Sequence, residues 1–228
     1  MSKIMITPLG TVLPYGKDTM NCPCFLIEYN HYKILLDCGN GITRMLKFPQ
    51  DLNHLNVFIT HYHEDHCGDL GVLQYASYVY HNLGTIEEPI NLYLPFKDFR
   101  NKKQSILANK ETYSKHYDIK DNKKYMIDNL QISFHNNHSH TIETYMIKLE
   151  TNNMKVVYTS DVGTTNIKDL IDFCSNTDLL ICESSFLRSH HSSSTTHLTA
   201  YQAGEIAKLA RVRKLLLTIF GQKKIKTS

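Results

Sequence analysis

FITHYHEDHCGDL, Phe58 to Leu70, is the stretch that decides how this chain reads. His61, His63, Glu64, Asp65 and His66 crowd together directly behind a short apolar run. A surface loop has no structural reason to concentrate ligand side chains in this way. Spaced two residues apart on an extended or tightly turned loop, His61 and His63 converge on one ion. Asp65 and His66 follow in a turn that aims them at a neighbouring point. Imidazole and carboxylate suit zinc, manganese or iron, and zinc's lack of geometric preference tolerates such a loop. Glu64 falls on the opposite side of the local turn and is left out of the ligand set.

Working outward, the apolar run before the cluster predicts a buried strand, Leu55 to Thr60. Strands are also expected at Lys3–Pro8, Phe25–Tyr29 and Lys33–Asp37, the last running into the Gly-rich turn of LLDCGNG. Behind the cluster, Leu70, Leu73, Ala76 and Tyr80 recur at helical spacing and predict a helix over Asp69–His81. Ile90–Pro95 reads as a strand, and the lysine-rich Phe96–Asn122 as a surface helix and loop. Further strands are expected at Asn129–Phe134, Thr144–Glu150, Lys155–Asp161 and Asp178–Glu183. A helix is expected over Asn166–Cys174. A second, running on through Ala200, Ala203, Ile206 and Ala207, takes Thr196 as its cap. KLLLTIF closes the pattern as a strand. An early antiparallel meander followed by strands alternating with helices predicts mixed sheets covered by helices on their outer faces.

The chain has 228 residues, 42% of them apolar and 21% charged, as expected for one globular domain with a real core. A formal charge of +3 permits an anionic substrate and demands none. Met1 to Thr11 lacks the basic start and apolar stretch of a signal peptide, and no run approaches the ~20 apolar residues of a membrane span. The expectation is a cytoplasmic protein without a membrane partner. Cys22 and Cys24 form a C-x-C pair with no second pair to complete a zinc site, so they read as strand-edge thiols, reduced like the remaining cysteines.

THYHEDHCGDL resembles the H-x-H-x-D-H signature of metallo-β-lactamase-fold hydrolases, and within them is most similar to ribonuclease Z and its small armless relatives. The resemblance spans nearly the whole chain. It implies an αββα sandwich with a two-metal site at one edge. It also implies two divalent ions, zinc before manganese or iron, with His61 and His63 on the first and Asp65 and His66 on the second. HTIETYMIKLE is similar to the family's next motif and makes His140 the first metal's third histidine, with His138 its competitor. Asp161, ending VVYTSD, takes the place of the bridging carboxylate. HLTAYQAGEIAKLA resembles a family helix whose opening histidine donates a proton near the scissile phosphate. That gives His197 the catalytic role and Glu205 the role of orienting it, beside Asp65 at the nucleophile.

The pattern breaks at LLLTIF. Ile219 stands where the family places the second metal's last histidine, and isoleucine ligates nothing. Restoring one base before an isoleucine codon permits a reading with histidine there, so the chain is expected to be truncated or altered after about residue 218. A phosphodiesterase-like hydrolase with a weakened second site is the leading expectation. Ribonuclease Z-type tRNA 3′-end cleavage is the alternative, set back by the absence of a Gly/Pro-rich arm and of the family's P-x-K-x-R-N-x-S stretch. A catalytically defective metal-binding protein from a frame-shifted copy is the third. The substrate is expected to be a small phosphodiester or RNA, and the resemblance implies a homodimer.

Overall fold

The computed structural model describes residues 4–95, 113–190 and 196–221. Two six-stranded sheets face one another. The first runs β1 (Ile4–Gly10), β3 (Cys24–Tyr29), β4 (Tyr32–Leu36), β5 (Leu55–Phe58), β6 (Ile90–Pro95), β7 (Ser114–Ile119) in spatial order. The second runs β13 (Leu215–Thr218), β12 (Leu179–Glu183), β11 (Lys155–Tyr158), β10 (Tyr145–Glu150), β9 (Leu130–Asn136), β8 (Lys124–Ile127). Each sheet is antiparallel in its early strands and parallel in its later ones, β4 to β7 and β11 to β13. A short pair, β2 (Val12–Leu13) with β14 (Phe220–Gly221), lies outside the two sheets.

Strand periodicity builds the layers. Successive side chains leave a strand on opposite faces, so a strand buried on both sides feeds two cores. Ile34, Leu36 and Phe58 point between the sheets, where they meet Ile147, Val156, Tyr158 and Ile181. Their neighbours Leu35 and Val57 point outward against Leu70 and Leu73 of α2 (Leu70–Asn82). Val157, Leu180 and Cys182 likewise face Leu170 of α3 (Ile167–Phe173) and Ala203, Ile206 and Ala207 of α4 (Ala200–Leu209). The αββα sandwich expected from the sequence is the fold observed.

Three local expectations need correction. The cap of α4 is Thr199, not Thr196: Thr199 and Gln202 exchange side-chain bonds with each other's backbone amides in a capping box. Part of the polar segment read as surface helix and loop is strand β7, with a turn after it; residues 96–112 of that segment lie outside the described residues. Finally, β8 forms an additional edge strand beside β9. All six cysteines are free and buried. Among the described residues no helix is long and apolar enough to cross a membrane.

Candidate metal centre

The ends of several strands meet at one edge of the sandwich. Because β4 and β5 are parallel, and β11, β12 and β13 are parallel, their C-terminal ends converge there. β10 runs antiparallel to β11, so the residues leading into β10 arrive at the same edge. These ends carry Asp37, His61, His140, Asp161, Glu183 and Ile219.

After β5 the chain stays extended through His63, then turns once as α1 (Glu64–Cys67), with the amides of His66 and Cys67 bonded to His63 O. That single turn sends Asp65 and His66 inward, both buried, and leaves Glu64 exposed. The Gly-rich turn after β4 packs against it, with Cys38 N donating to His66 O over 2.8 Å. A Cβ on Gly39 would sit 2.0 Å from Asp65 O, so only glycine permits this approach.

The ligand candidates come together. His61 Nε2 lies 3.0 Å from His63 Nδ1 and 3.7 Å from Asp161 Oδ2. His140 Nε2 is 3.9 Å from Asp161 Oδ2, and His66 Nε2 is 3.1 Å from Asp161 Oδ1. Asp65 Oδ2 lies 3.8 Å from His66 Nε2. Asp161 therefore stands between both halves of the cluster. His138, the competitor of His140, is exposed with a left-handed backbone and reaches none of these groups among the described residues.

Among the described residues His140 Nε2 is buried without a hydrogen-bond partner, and His66 Nε2 and Asp161 Oδ1 face one another at 3.1 Å with no other partner and outside hydrogen-bond geometry. Leaving such atoms unpaired costs about 1–3 kcal/mol each. Facing imidazole nitrogens and a carboxylate oxygen form the donor set of a divalent transition-metal ion, and a cation between them satisfies all three. Among the described residues, two groups of ligand atoms lie within 4.8 Å of one another: His61, His63 and Asp161, and His140, Asp161 and His197. The first belongs to the set the sequence assigns to the first ion. The second brings His197 closer to the ligands than a remote proton donor requires. The residues fit a metal.

The charge state is divided. Burial pushes His61 well below the ordinary histidine range and His140 down to about 4, so both are neutral, as ligands must be. Burial opposes a charge on His66 too, but Asp161 and Asp37 outweigh it and hold its proton well above the usual range, a proton that a metal at Nε2 would displace. Asp161, buried among histidines led by His66, is held far below the usual carboxylate range. Burial raises Asp65.

A buried frame orients these groups. Asp37, fully buried, accepts bonds from Thr60 N and Thr60 Oγ1 at 2.8 Å, Tyr158 Oη at 2.8 Å and His66 Nδ1 at 2.8 Å. With Nδ1 committed to Asp37, His66 can offer only Nε2. Thr60 Oγ1 also meets Ser160 Oγ at 2.7 Å, tying the two sheets together beneath the site. Asn137 Nδ2 donates to Asp161 O over 2.8 Å, and Gly163 N to Ser139 Oγ over 2.8 Å, bracing the loop that leads to His140.

His197 stands just before α4, and its Nδ1 meets Glu183 Oε1 at 2.5 Å. Glu183 also accepts from Ser185 Oγ and Val162 N, each at 2.6 Å. Burial raises Glu183 to about 7; Glu183 in turn overcomes burial to raise His197 to about 8. The carboxylate that reaches His197 is thus Glu183. Glu205 is exposed, eight residues farther along, and does not orient it. Glu183 was legible in principle: it ends LLICE, a buried strand, as Asp161 ends VVYTSD.

Ile219 follows β13 with φ +61° and its side chain fully buried in the core between the sheets. Asp37 (+63°) and Ser160 (+53°) hold the same left-handed backbone at the other strand ends of the site. Aspartate tolerates that region, whereas for a β-branched residue it is an outlier costing about 1–2 kcal/mol.

Comparison with known proteins agrees with this geometry. The chain is 29% identical to the probable metallo-hydrolase YhfI of Bacillus subtilis over 195 residues, 85% of this chain and 78% of that protein. The crystal structure of YhfI superposes with a TM-score of 0.87 at 26% identity, covering 97% of this chain and 88% of the other. Ribonuclease Z of Chlamydia pneumoniae is 24% identical, over 97% of this chain and 87% of its own length. A diphosphatase of the PhnP family shares the fold, with a TM-score of 0.76 at 17% identity over 96% of this chain and 87% of that one. Residues 18–209 match the family model, and with the sandwich and its histidine-aspartate edge they establish that the chain belongs to the metallo-β-lactamase superfamily.

Proposed function

We propose that this chain is a metal-dependent phosphodiester hydrolase. The observation that carries this is the pairing of the Asp161-centred ligand cluster with a protonatable His197 held beside it by Glu183. His61, His63, His140 and Asp161 would hold one ion; Asp65, His66 and Asp161 would hold a second. Divalent cations in such sites supply Lewis acidity, lowering the pKa of water and offsetting phosphoryl charge.

The chain's own residues supply the rest. Asp65, beside His66 and the cluster, is placed to accept a proton from the attacking water and orient it. His197 commits Nδ1 to Glu183 and presents Nε2, so its proton is available to the leaving oxygen. Raised to about 8, it carries that proton at neutral pH. An acid matched to an alkoxide leaving group is what a phosphodiester needs. The resemblance to ribonuclease Z supports the same substrate class, RNA or a smaller phosphodiester.

Ile219 supports a qualification: it contributes no donor, so the second ion rests on three groups, and activity should be low. Hydrolysis of bis-p-nitrophenyl phosphate, p-nitrophenyl phosphate and a chromogenic β-lactam, with Zn²⁺, Mn²⁺ or a chelator, tests this reading. Metal-dependent turnover of the diester above the other two is expected; preference for the monoester or the β-lactam contradicts it.

A further inference from the structure

Arg188 lies in a short 3-10 turn, Arg188–His190, beyond β12, with its guanidinium 4.1 Å from the centre of the Tyr201 ring. Both residues are exposed. Their position is fixed by the backbone beside the site. Phe186 N donates to Leu198 O over 3.1 Å, Ala200 N donates to Phe186 O over 2.9 Å, and the Phe186 ring lies 6.0 Å from that of His197. Arg188 is two residues beyond this rung, at most about 7 Å of chain. Tyr201 is the residue after Ala200. The stacked pair therefore lies within two residues of the rung that carries Phe186 against His197.

A stacked guanidinium keeps its charge and its fork of donors, because the ring occupies a face and leaves the edge free. Among the described residues no carboxylate pairs with Arg188, so its charge is unanswered within this part of the protein. The leaving group departs past His197, toward the same side. We propose that Arg188, presented by Tyr201, grips a second phosphate group carried on the leaving-group side of the substrate. This rests on the phosphodiesterase reading and narrows it to substrates bearing a second anionic group close to the scissile one, as in a nucleotide chain or a nucleoside bisphosphate.

The test is calorimetric binding of thymidine 3′,5′-bisphosphate and thymidine 5′-monophosphate to metal-loaded protein, for wild type, Arg188→Ala, Tyr201→Ala and Tyr201→Phe. A charge-assisted contact predicts that wild type binds the bisphosphate about tenfold more tightly than the monophosphate. Arg188→Ala should bind both within about twofold, with its metal content unchanged. Tyr201→Phe should keep the preference, and Tyr201→Ala should lose most of it. Equal binding of the two ligands by wild type, or a preference that survives Arg188→Ala, overturns the proposal. Failure of the phosphodiesterase reading shows separately, as absent metal-dependent turnover of bis-p-nitrophenyl phosphate, a substrate without a second phosphate.

Discussion

Glu183 and His197 form a carboxylate–imidazole pair: His197, half-buried, donates Nδ1–H to Glu183 Oε1 over 2.5 Å, and Glu183 is wholly removed from solvent. The contact joins the end of β12 to the start of α4, and it fixes both the ring's orientation and its proton. Burial by itself would lower the histidine; the carboxylate raises it to about 8. A general acid is active while protonated, so its contribution to the rate should be full below that value and fall as pH rises through it. In Glu183→Gln the cation loses its partner, and the alkaline limb should move to lower pH. His197→Ala should lose about 10²- to 10⁴-fold in kcat. A pH–rate profile of wild type and Glu183→Gln checks the first point; coincident alkaline limbs would remove His197 from the role.

Asp37 predicts a stability effect. It accepts four hydrogen bonds in a fully buried position, from groups on both sheets and from His66. Asp37→Ala strands those donors and should cost about 3–5 kcal/mol, read as a lower denaturant midpoint. Asp37→Asn keeps the shape but cannot accept at both oxygens, and by freeing His66 should weaken metal binding about 10- to 100-fold. A variant with unaltered midpoint and metal affinity would show that His66 is oriented by something else.

The Thr199 capping box gives a smaller, local prediction. Thr199→Ala removes the side-chain bond to Gln202 N and should destabilise by about 1 kcal/mol. The denaturant midpoints of wild type and Thr199→Ala, measured side by side, check it.

What could be read from the sequence follows from how local each signal is. The double-sided strands Tyr32–Leu36 and Lys155–Tyr158 announce themselves as dense apolar runs, because both of their faces are buried. β7 and β8 escape notice for a physical reason. Each is the edge strand of its sheet, and edges carry lysine where central strands carry isoleucine. The H-x-H-x-D-H loop is legible because its ligands are neighbours in sequence. Asp37 and Glu183 show only as carboxylates closing buried strands, because their partners Tyr158 and His197 meet them through the fold. Glu205 takes the orienting role only from the family resemblance; it is exposed, and the carboxylate that reaches His197 comes from the end of β12.

Ile219 stands where the family resemblance would place a histidine ligand, and the difference can be reversed. Ile219→His places an imidazole at a left-handed position that histidine adopts more readily than isoleucine. It should raise bound metal toward two equivalents, make the melting temperature more strongly metal-dependent, and increase diester turnover. An unchanged metal content would mean that position 219 does not face the second ion.

Metal content per chain, measured after exhaustive dialysis for wild type and Asp161→Asn, bears most directly on the claim that a cation centre is built around Asp161. Asp161 Oδ1 lies 3.1 Å from His66 Nε2, and its Oδ2 lies 3.7 Å from His61 Nε2 and 3.9 Å from His140 Nε2. The account predicts at least one tightly held transition-metal ion in wild type, and its loss from Asp161→Asn together with diester hydrolysis. Wild type that retains no metal, or Asp161→Asn that retains it undiminished, would contradict the account.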